Sequence, residues 1–298
     1  MKRPTWTALA IASLLTHGAA QARPDPQQPM VAPVLEQADT GYGFQTRTLE
    51  SVDGQRHYRL YIGRPEHSAP DAGYPVVYLL DGNAAVGALD RPLLRELNAS
   101  AAPPVIVAIG STSPLRIDRV ARTYDYTPKV GKRPQVDPAN GLPSGGADEF
   151  LDLLAQQIKP MVQQTVPVDL KQQTLWGHSY GGLLVLHALM TRPGEFSTYA
   201  AASPSLWWTE GAGLKGLSGL AAKLGSGSAN LLLMHGDSEG RGPGAQTGAG
   251  APNPGAAVRQ LLDGVYAVPG LHTRYRIFPG LGHGPMLGAS LRYTLGQP

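Results

Sequence analysis

Apolar residues recur along this chain in a few distinct patterns, and each predicts an element. Pro75 to Leu80 and Val105 to Ile109 are nearly uninterrupted apolar runs, as expected of parallel strands buried on both faces. Gly43 to Leu49 and Arg56 to Ile62 flank Asp53-Gly54, and in the second arm Tyr58, Leu60 and Ile62 alternate with Arg59 and Tyr61. That pair predicts a hairpin. Leu89 to Leu97 reads as a helix. Over Ala147 to Val166, apolar Phe150, Leu153, Leu154, Ile158, Met161 and Val162 recur at the spacing of a helix packed on a sheet. Gln173 to Trp176 predicts a short strand, and Gly182 to Met190 a helix stopped by Arg192-Pro193-Gly194. Strands are expected at Ser197–Ala202, Asn230–Met234 and Thr273–Phe278, and helices at Ala256–Tyr266 and Met286–Leu295. Antiparallel strands first, then alternating strands and helices, predict an α/β fold with a mostly parallel central sheet of about eight strands flanked by helices.

The ends and interruptions add to this picture. Lys2-Arg3, the apolar stretch Trp6 to Leu15 and Ala20-Gln21-Ala22 read together as a signal peptide over residues 1–22. The apolar stretch is too short to span a bilayer. Export to the periplasm is expected, with secretion to the medium as second choice. Residues 23–40 are rich in Pro and Gln and read as a loose lead-in, and 41–298 as a single domain. Pro128–Gly146 and Gly240–Gly255 read as long surface loops. Loss of Lys2 and Arg3 with the leader takes Lys+Arg from 25 to 23, against 22 Asp+Glu. A mature chain so near neutrality carries no general electrostatic footprint for nucleic acid. There is no cysteine, hence no disulfide framework or lipid-anchored cysteine. No metal-ligand spacing is evident, and no cofactor is expected.

The candidate chemistry centres on Gly177-His178-Ser179-Tyr180-Gly181, which reads G-x-S-x-G between a predicted strand and a predicted helix. This is the context required of the nucleophile elbow of α/β-hydrolases. Small residues two before and two after the serine let neighbouring backbone approach the turn. A serine hydroxyl needs a base, and the base needs an orienting group that stabilises the imidazolium. In this fold the chain order is serine, acid, histidine. Of His187, His235, His272 and His283, the last lies in a glycine-flanked stretch between the final strand and helix, and is the expected base. For the acid, spacing favours Glu239 and proximity to the strand end favours Asp237; a Ser–His dyad without either stays open. The oxyanion donors are expected to be the N–H groups of Tyr180 and of Asn83, with Gly82 next. Arg116, Arg119 and Arg122 fall in one loop after the Val105–Ile109 strand, with Lys129, Lys132 and Arg133 close behind. They form a local basic rim suited to an anionic substrate. Trp207 is a candidate wall for an aromatic group.

The blocks Leu79-Leu80-Asp81-Gly82-Asn83, Arg122 to Pro128, Gly145 to Phe150, Trp176 to Gly182, Ser203-Pro204-Ser205 and Pro279 to Met286 resemble the esterase D-like "putative esterase" family of α/β-hydrolases. Within it they are most similar to bacterial periplasmic esterases of catecholate siderophores of the enterobactin and salmochelin type. The resemblance covers most of the chain after the leader. It implies a serine esterase that opens the ester bonds of a cyclic tri-serine lactone, with Ser179 as nucleophile and His283 as base. It also implies a small, anionic ester substrate, ferric or iron-free, and siderophore-uptake components as partners. Two other functions fit the same residues: a general exported carboxylesterase acting on feruloyl, acetyl-carbohydrate or acyl esters, and a non-catalytic periplasmic binding protein of the same fold.

Overall fold

The structure, a computed structural model, describes residues 27–132, 134–209, 211, 216–240 and 254–296. The expected signal peptide, Arg133 and most of the Gly240–Gly255 stretch lie outside these residues. The strands are β1 (Tyr42–Glu50), β2 (His57–Pro65), β3 (Tyr74–Leu79), β4 (Val105–Ser111), β5 (Val168–His178), β6 (Thr198–Ala202), β7 (Ala229–Gly236) and β8 (Leu271–Phe278). They form one sheet in the order β1-β2-β4-β3-β5-β6-β7-β8. β1 pairs with β2 and β2 with β4 in antiparallel fashion, and every later pairing is parallel. This is the α/β-hydrolase sheet the hydrophobic pattern predicts.

β3 and β4 are buried along their whole length, which is why their sequences show no polar alternation. Their side chains still divide by face. Val76, Tyr78 and Leu80 pack with Phe150, Leu154, Leu183 and Leu261 on one side. Val77 and Leu79 pack with Leu94, Met286 and Leu291 on the other. A strand's period of two thus feeds two hydrophobic layers.

The helices are α1 (Gly82–Gly87), α2 (Arg91–Asn98), α3 (Arg119–Asp125), α4 (Ala147–Leu153), α5 (Lys159–Thr165), α6 (Tyr180–Thr191), α7 (Leu220–Leu224), α8 (Pro254–Tyr266) and α9 (His283–Leu295). α2 starts where Asp90 accepts a hydrogen bond from the N–H of Leu93, an N-cap. α6 buries every residue except His187 and Thr191, which explains its apolar sequence on all sides.

Several expectations are corrected. The single helix read over Ala147–Val166 is two helices joined by a π turn at Leu154–Ile158. Pro160, just beyond, has no N–H to continue the ladder, and the wider turn accommodates it. The lead-in is docked rather than loose from Gln28 onward. Met30 N–H donates to Pro114 O at 2.8 Å, Arg116 N–H to Gln28 O at 2.8 Å, and Val34 is buried. Pro128–Gly146 is at the surface as expected, but it is folded: it doubles back through a bridge between Val136 and Pro143 and buries Asp137 and Ser144. Arg119 and Arg122 lie on α3, not in a loop. His283 is the first residue of α9 rather than part of the preceding loop.

Candidate active site

The carboxyl ends of five neighbouring parallel strands converge on one place. Ser179 follows β5 directly and has φ +61° and ψ −116°, a strained backbone for a residue with a side chain. Its N–H donates to Ala202 O and its carbonyl accepts from Leu183 N–H, so strand and helix hold it from both sides. The turn is tight because Gly177 has no Cβ: one would lie 2.4 Å from the carbonyl carbon and oxygen of Gly181. Gly181 itself is different. A Cβ there would meet only ordinary contacts, the nearest at 3.5 Å from Leu80. The steric demand read as symmetric about the serine falls on the residue before it.

His283 sits across from the elbow. Its Nδ1 lies 2.9 Å from Glu239 Oε2, and its ring centroid 4.6 Å from that of His178. Glu239 is almost fully buried. Burial pushes its pKa up, but the hydrogen bond and charge of His283, with help from Ser203 and His235, outweigh burial and hold it below the ordinary glutamate range. The ionised carboxylate only accepts, so His283 Nδ1 is the donor of this pair, and in the neutral ring Nε2 is then the acceptor. Asp237 takes a different part. Its Oδ1 accepts from Gly280 N–H at 2.7 Å and so ties the β7 turn to the loop that leads into His283. Of the two candidate acids, Glu239 is the one that reaches the imidazole.

Ser179 Oγ lies 3.4 Å from Ser205 Oγ, and in this conformation it makes no hydrogen bond to His283. Catalytic hydrogen bonds of this kind often tighten only in the substrate complex. His178, which sequence reasoning passed over, fixes the base from behind. Its Nε2 donates to the carbonyl oxygen of His283 at 2.9 Å. Burial, then the nearby charge of His283 and Arg122, holds its pKa well below the ordinary histidine value, so the ring is neutral.

The expected oxyanion donors lie at two helix starts, after the carboxyl ends of β3 and β5. Tyr180 is the first residue of α6, and Gly82 and Asn83 open α1. Asp81 O accepts from Ala84 and Ala85. The N–H groups of Gly82, Asn83 and Tyr180 thus stand in first-turn positions with no acceptor inside their own helices. Close approach again depends on a glycine: a Cβ at Gly82 would lie 2.3 Å from Gly110 N on β4.

The cations separate into two kinds. Arg122 Nε and Nη2 bind Asp81 at 2.8 and 3.0 Å, and its guanidinium lies 5.2 Å from the centre of the Tyr180 ring. It is a part-buried brace of the Asp81–Asn83 loop, paired with a carboxylate where a free cation was expected, and it lines the same cleft as Arg116. Arg116 shares a cleft with Asn83, Ser111, Asp118 and Tyr126, and its side chain makes no ion pair among the described residues. Arg119 and Lys132 are exposed. Trp207 is 40% exposed, with its ring 6.0 Å from that of Tyr180. Asp137, another residue passed over in the sequence, is fully buried. Its Oδ2 accepts from the Tyr180 hydroxyl at 2.8 Å and from Trp208 Nε1 at 2.9 Å. One carboxylate therefore fastens the folded 128–146 segment to the elbow helix and to the turn after β6. Among the described residues no group of His, Asp and Glu could hold a metal ion.

Comparison with known proteins agrees with this fold. The sequence model of the "putative esterase" family matches residues 51–224. The apo-salmochelin esterase of Escherichia coli O6:H1 is 36% identical over 96% of this chain and 88% of its own. The ferri-bacillibactin esterase BesA of Bacillus subtilis is 36% identical over 56% of this chain and 60% of its own. The solved structure of the enterobactin and salmochelin hydrolase IroE superposes with a TM-score of 0.71 at 36% identity, over 88% of this chain and 97% of that one. With more than half of its length matched by the family model and a relative aligned along almost all of it, this chain belongs to the "putative esterase" family of α/β-hydrolases.

Proposed function

We propose that this protein is a serine esterase that hydrolyses the ester bonds of an enterobactin-like catecholate siderophore trilactone during iron acquisition. The observation that carries the reading is the His283–Glu239 pair set against an elbow serine, in a chain whose relatives are named as siderophore esterases. Ser179 Oγ attacks the ester carbonyl while His283 Nε2 takes its proton. Glu239 stabilises the resulting imidazolium, and the N–H groups of Tyr180 and Asn83 receive the oxyanion. On collapse, the ester C–O bond breaks and His283 returns the proton to the leaving serine hydroxyl. A water molecule, deprotonated by the same imidazole, then frees the acyl group from Ser179.

Arg116, which shares a cleft with Asn83 and makes no ion pair among the described residues, supports an anionic substrate, and the exposed Arg119 adds to the same positive rim. Reversing charge at Arg116 and Arg119 is expected to raise KM for a catecholate ester by roughly 3- to 10-fold per residue, at little cost to a neutral p-nitrophenyl ester. Equal changes for both substrates would remove the rim from substrate recognition. Arg122 is unsuited to this comparison, because its loss strands the buried Asp81 carboxylate.

The leader residues 1–22 support export, with the periplasm as the site of action and siderophore-uptake components as partners. Product analysis by mass spectrometry tests the function. The mature protein, incubated with enterobactin with and without iron beside the p-nitrophenyl ester, is expected to release linearised or fragmented catecholoyl-serine. Turnover of the simple ester alone would reassign it as a general exported carboxylesterase.

A further inference from the structure

We propose that Ser203 is a positioning residue that aims Glu239 at His283 and sets the proton affinity of the pair. The inference rests on the Ser179–His283–Glu239 reading and adds a fourth side chain to it. Ser203 directly follows β6, is buried, and is held at φ +44°, a left-handed backbone that costs energy for any residue with a Cβ. The strain has an evident use. In this conformation Ser203 N–H donates to Met234 O on β7, while its hydroxyl donates to Glu239 Oε1.

The two oxygens of Glu239 are thereby given different partners. Oε1 accepts from Ser203 Oγ and from Gly236 N–H at 2.9 Å, and lies 3.4 Å from His235 Nδ1. Oε2 has His283 Nδ1. A carboxylate pinned through one oxygen cannot rotate about its last bond, so the other stays in line with the imidazole. Ser203 is also the hinge of Ser203-Pro204-Ser205, whose far end lies against the nucleophile: Ser205 N–H donates to Ser179 O. One strained turn therefore sets the acid at one end and touches the serine at the other.

Ser203 also bears on titration. Besides Ser203, the titratable groups facing Glu239 among the described residues are His235 on β7, His283 on α9 and Tyr275 on β8. Removing a hydrogen-bond donor from a carboxylate raises its proton affinity and leaves more of its charge to stabilise a protonated imidazole. Both effects make the pair take up its proton at higher pH, and an interacting pair titrates as a unit.

The test compares Ser203→Ala, Ser203→Gly and Glu239→Gln on the full chain, with a p-nitrophenyl ester and a fluorophosphonate as probes, so that it does not depend on the siderophore. Ser203→Ala and Ser203→Gly are expected to lose about 10-fold in kcat with little change in KM. The acid limb of their kcat/KM profiles should move to higher pH. Ser203→Gly should melt at a higher temperature than Ser203→Ala, because glycine relieves the positive φ. Fluorophosphonate labelling of Ser179 should slow in parallel with kcat. Wild-type kcat and an unmoved acid limb in both Ser203 variants, with Glu239→Gln inactive, would overturn the proposal and leave the triad in place. Wild-type activity in Glu239→Gln would overturn both.

Discussion

Replacing Ser179 with alanine is expected to lower kcat/KM for any ester substrate by at least roughly 10⁴-fold while leaving the fold intact. The chemical half of this expectation follows from the site. Without Oγ there is no acyl-enzyme, and only the oxyanion donors and binding contacts still act. The structural half follows from how Ser179 is held. Its backbone is fixed because its N–H donates to Ala202 O and its carbonyl accepts from Leu183 N–H, and its side chain contributes only the 3.4 Å contact with Ser205. Alanine keeps the Cβ, so the strain at φ +61° is unchanged and Tm should stay within a few degrees of wild type. His283→Ala should fall to a similar floor, and the double variant no further, because nucleophile and base act as one unit. Steady-state kinetics beside a melting curve reads both halves. Substantial serine-independent turnover would refute the assignment of the nucleophile. A collapse of Tm would show that the residue is chiefly a structural turn.

The second large effect concerns stability and is asymmetric about that serine. Gly177→Ala should cost about 3 kcal/mol or more, enough to deplete soluble folded protein. Its new methyl group would meet the carbonyl group of Gly181 at 2.4 Å and Leu80 Cδ1 at 2.8 Å, with backbone on one side that cannot turn away. Gly181→Ala, four residues later, should change stability by about 1 kcal/mol or less, since the nearest atoms lie at 3.5 and 3.6 Å and alanine favours the helix. Chemical denaturation of the two variants side by side measures the difference. Equal losses would mean that the elbow is less tightly packed than described.

How much of this was legible in the chain depends on the distance over which each feature is encoded. β3, β4 and α6 are visible because burial on both sides leaves a continuous apolar run. Only the last part of β5 was read as strand: its first residues, Val168-Asp169-Leu170-Lys171-Gln172, run partly exposed and look like a loop. α1 was missed for the opposite reason. Gly82-Asn83-Ala84-Ala85-Val86-Gly87 has no polar face to mark a helix, because Gly82 through Val86 are buried. Glycine density around His283 suggested a loop, yet Pro285 fits the first turn of α9, where its missing N–H costs nothing.

The site shows the same division. Ser179, His283 and the region of the acid follow from the order of motifs in this fold. The choice of Glu239 over Asp237 rests on which carboxylate turns inward, and spacing alone does not decide that. Asp137 drew no notice in the sequence, because its partners Tyr180 and Trp208 lie 43 and 71 positions away. Arg122 reads as a free cation because Asp81 is 41 positions before it. Long-range partners of charged residues leave no local trace in the sequence.

The order of the converging strands along the chain gives the site a history. Asn83 emerges first, then Ser179, Ser203 and Glu239, and His283 comes last, at the start of the C-terminal helix. β8, the strand that delivers it, lies at the sheet's edge and pairs only with β7. A partly folded chain whose β8 has yet to dock therefore lacks His283 beside Glu239, and is expected to be inert. Competence arrives with the last strand, so hydrolysis begins only in a chain that has finished folding.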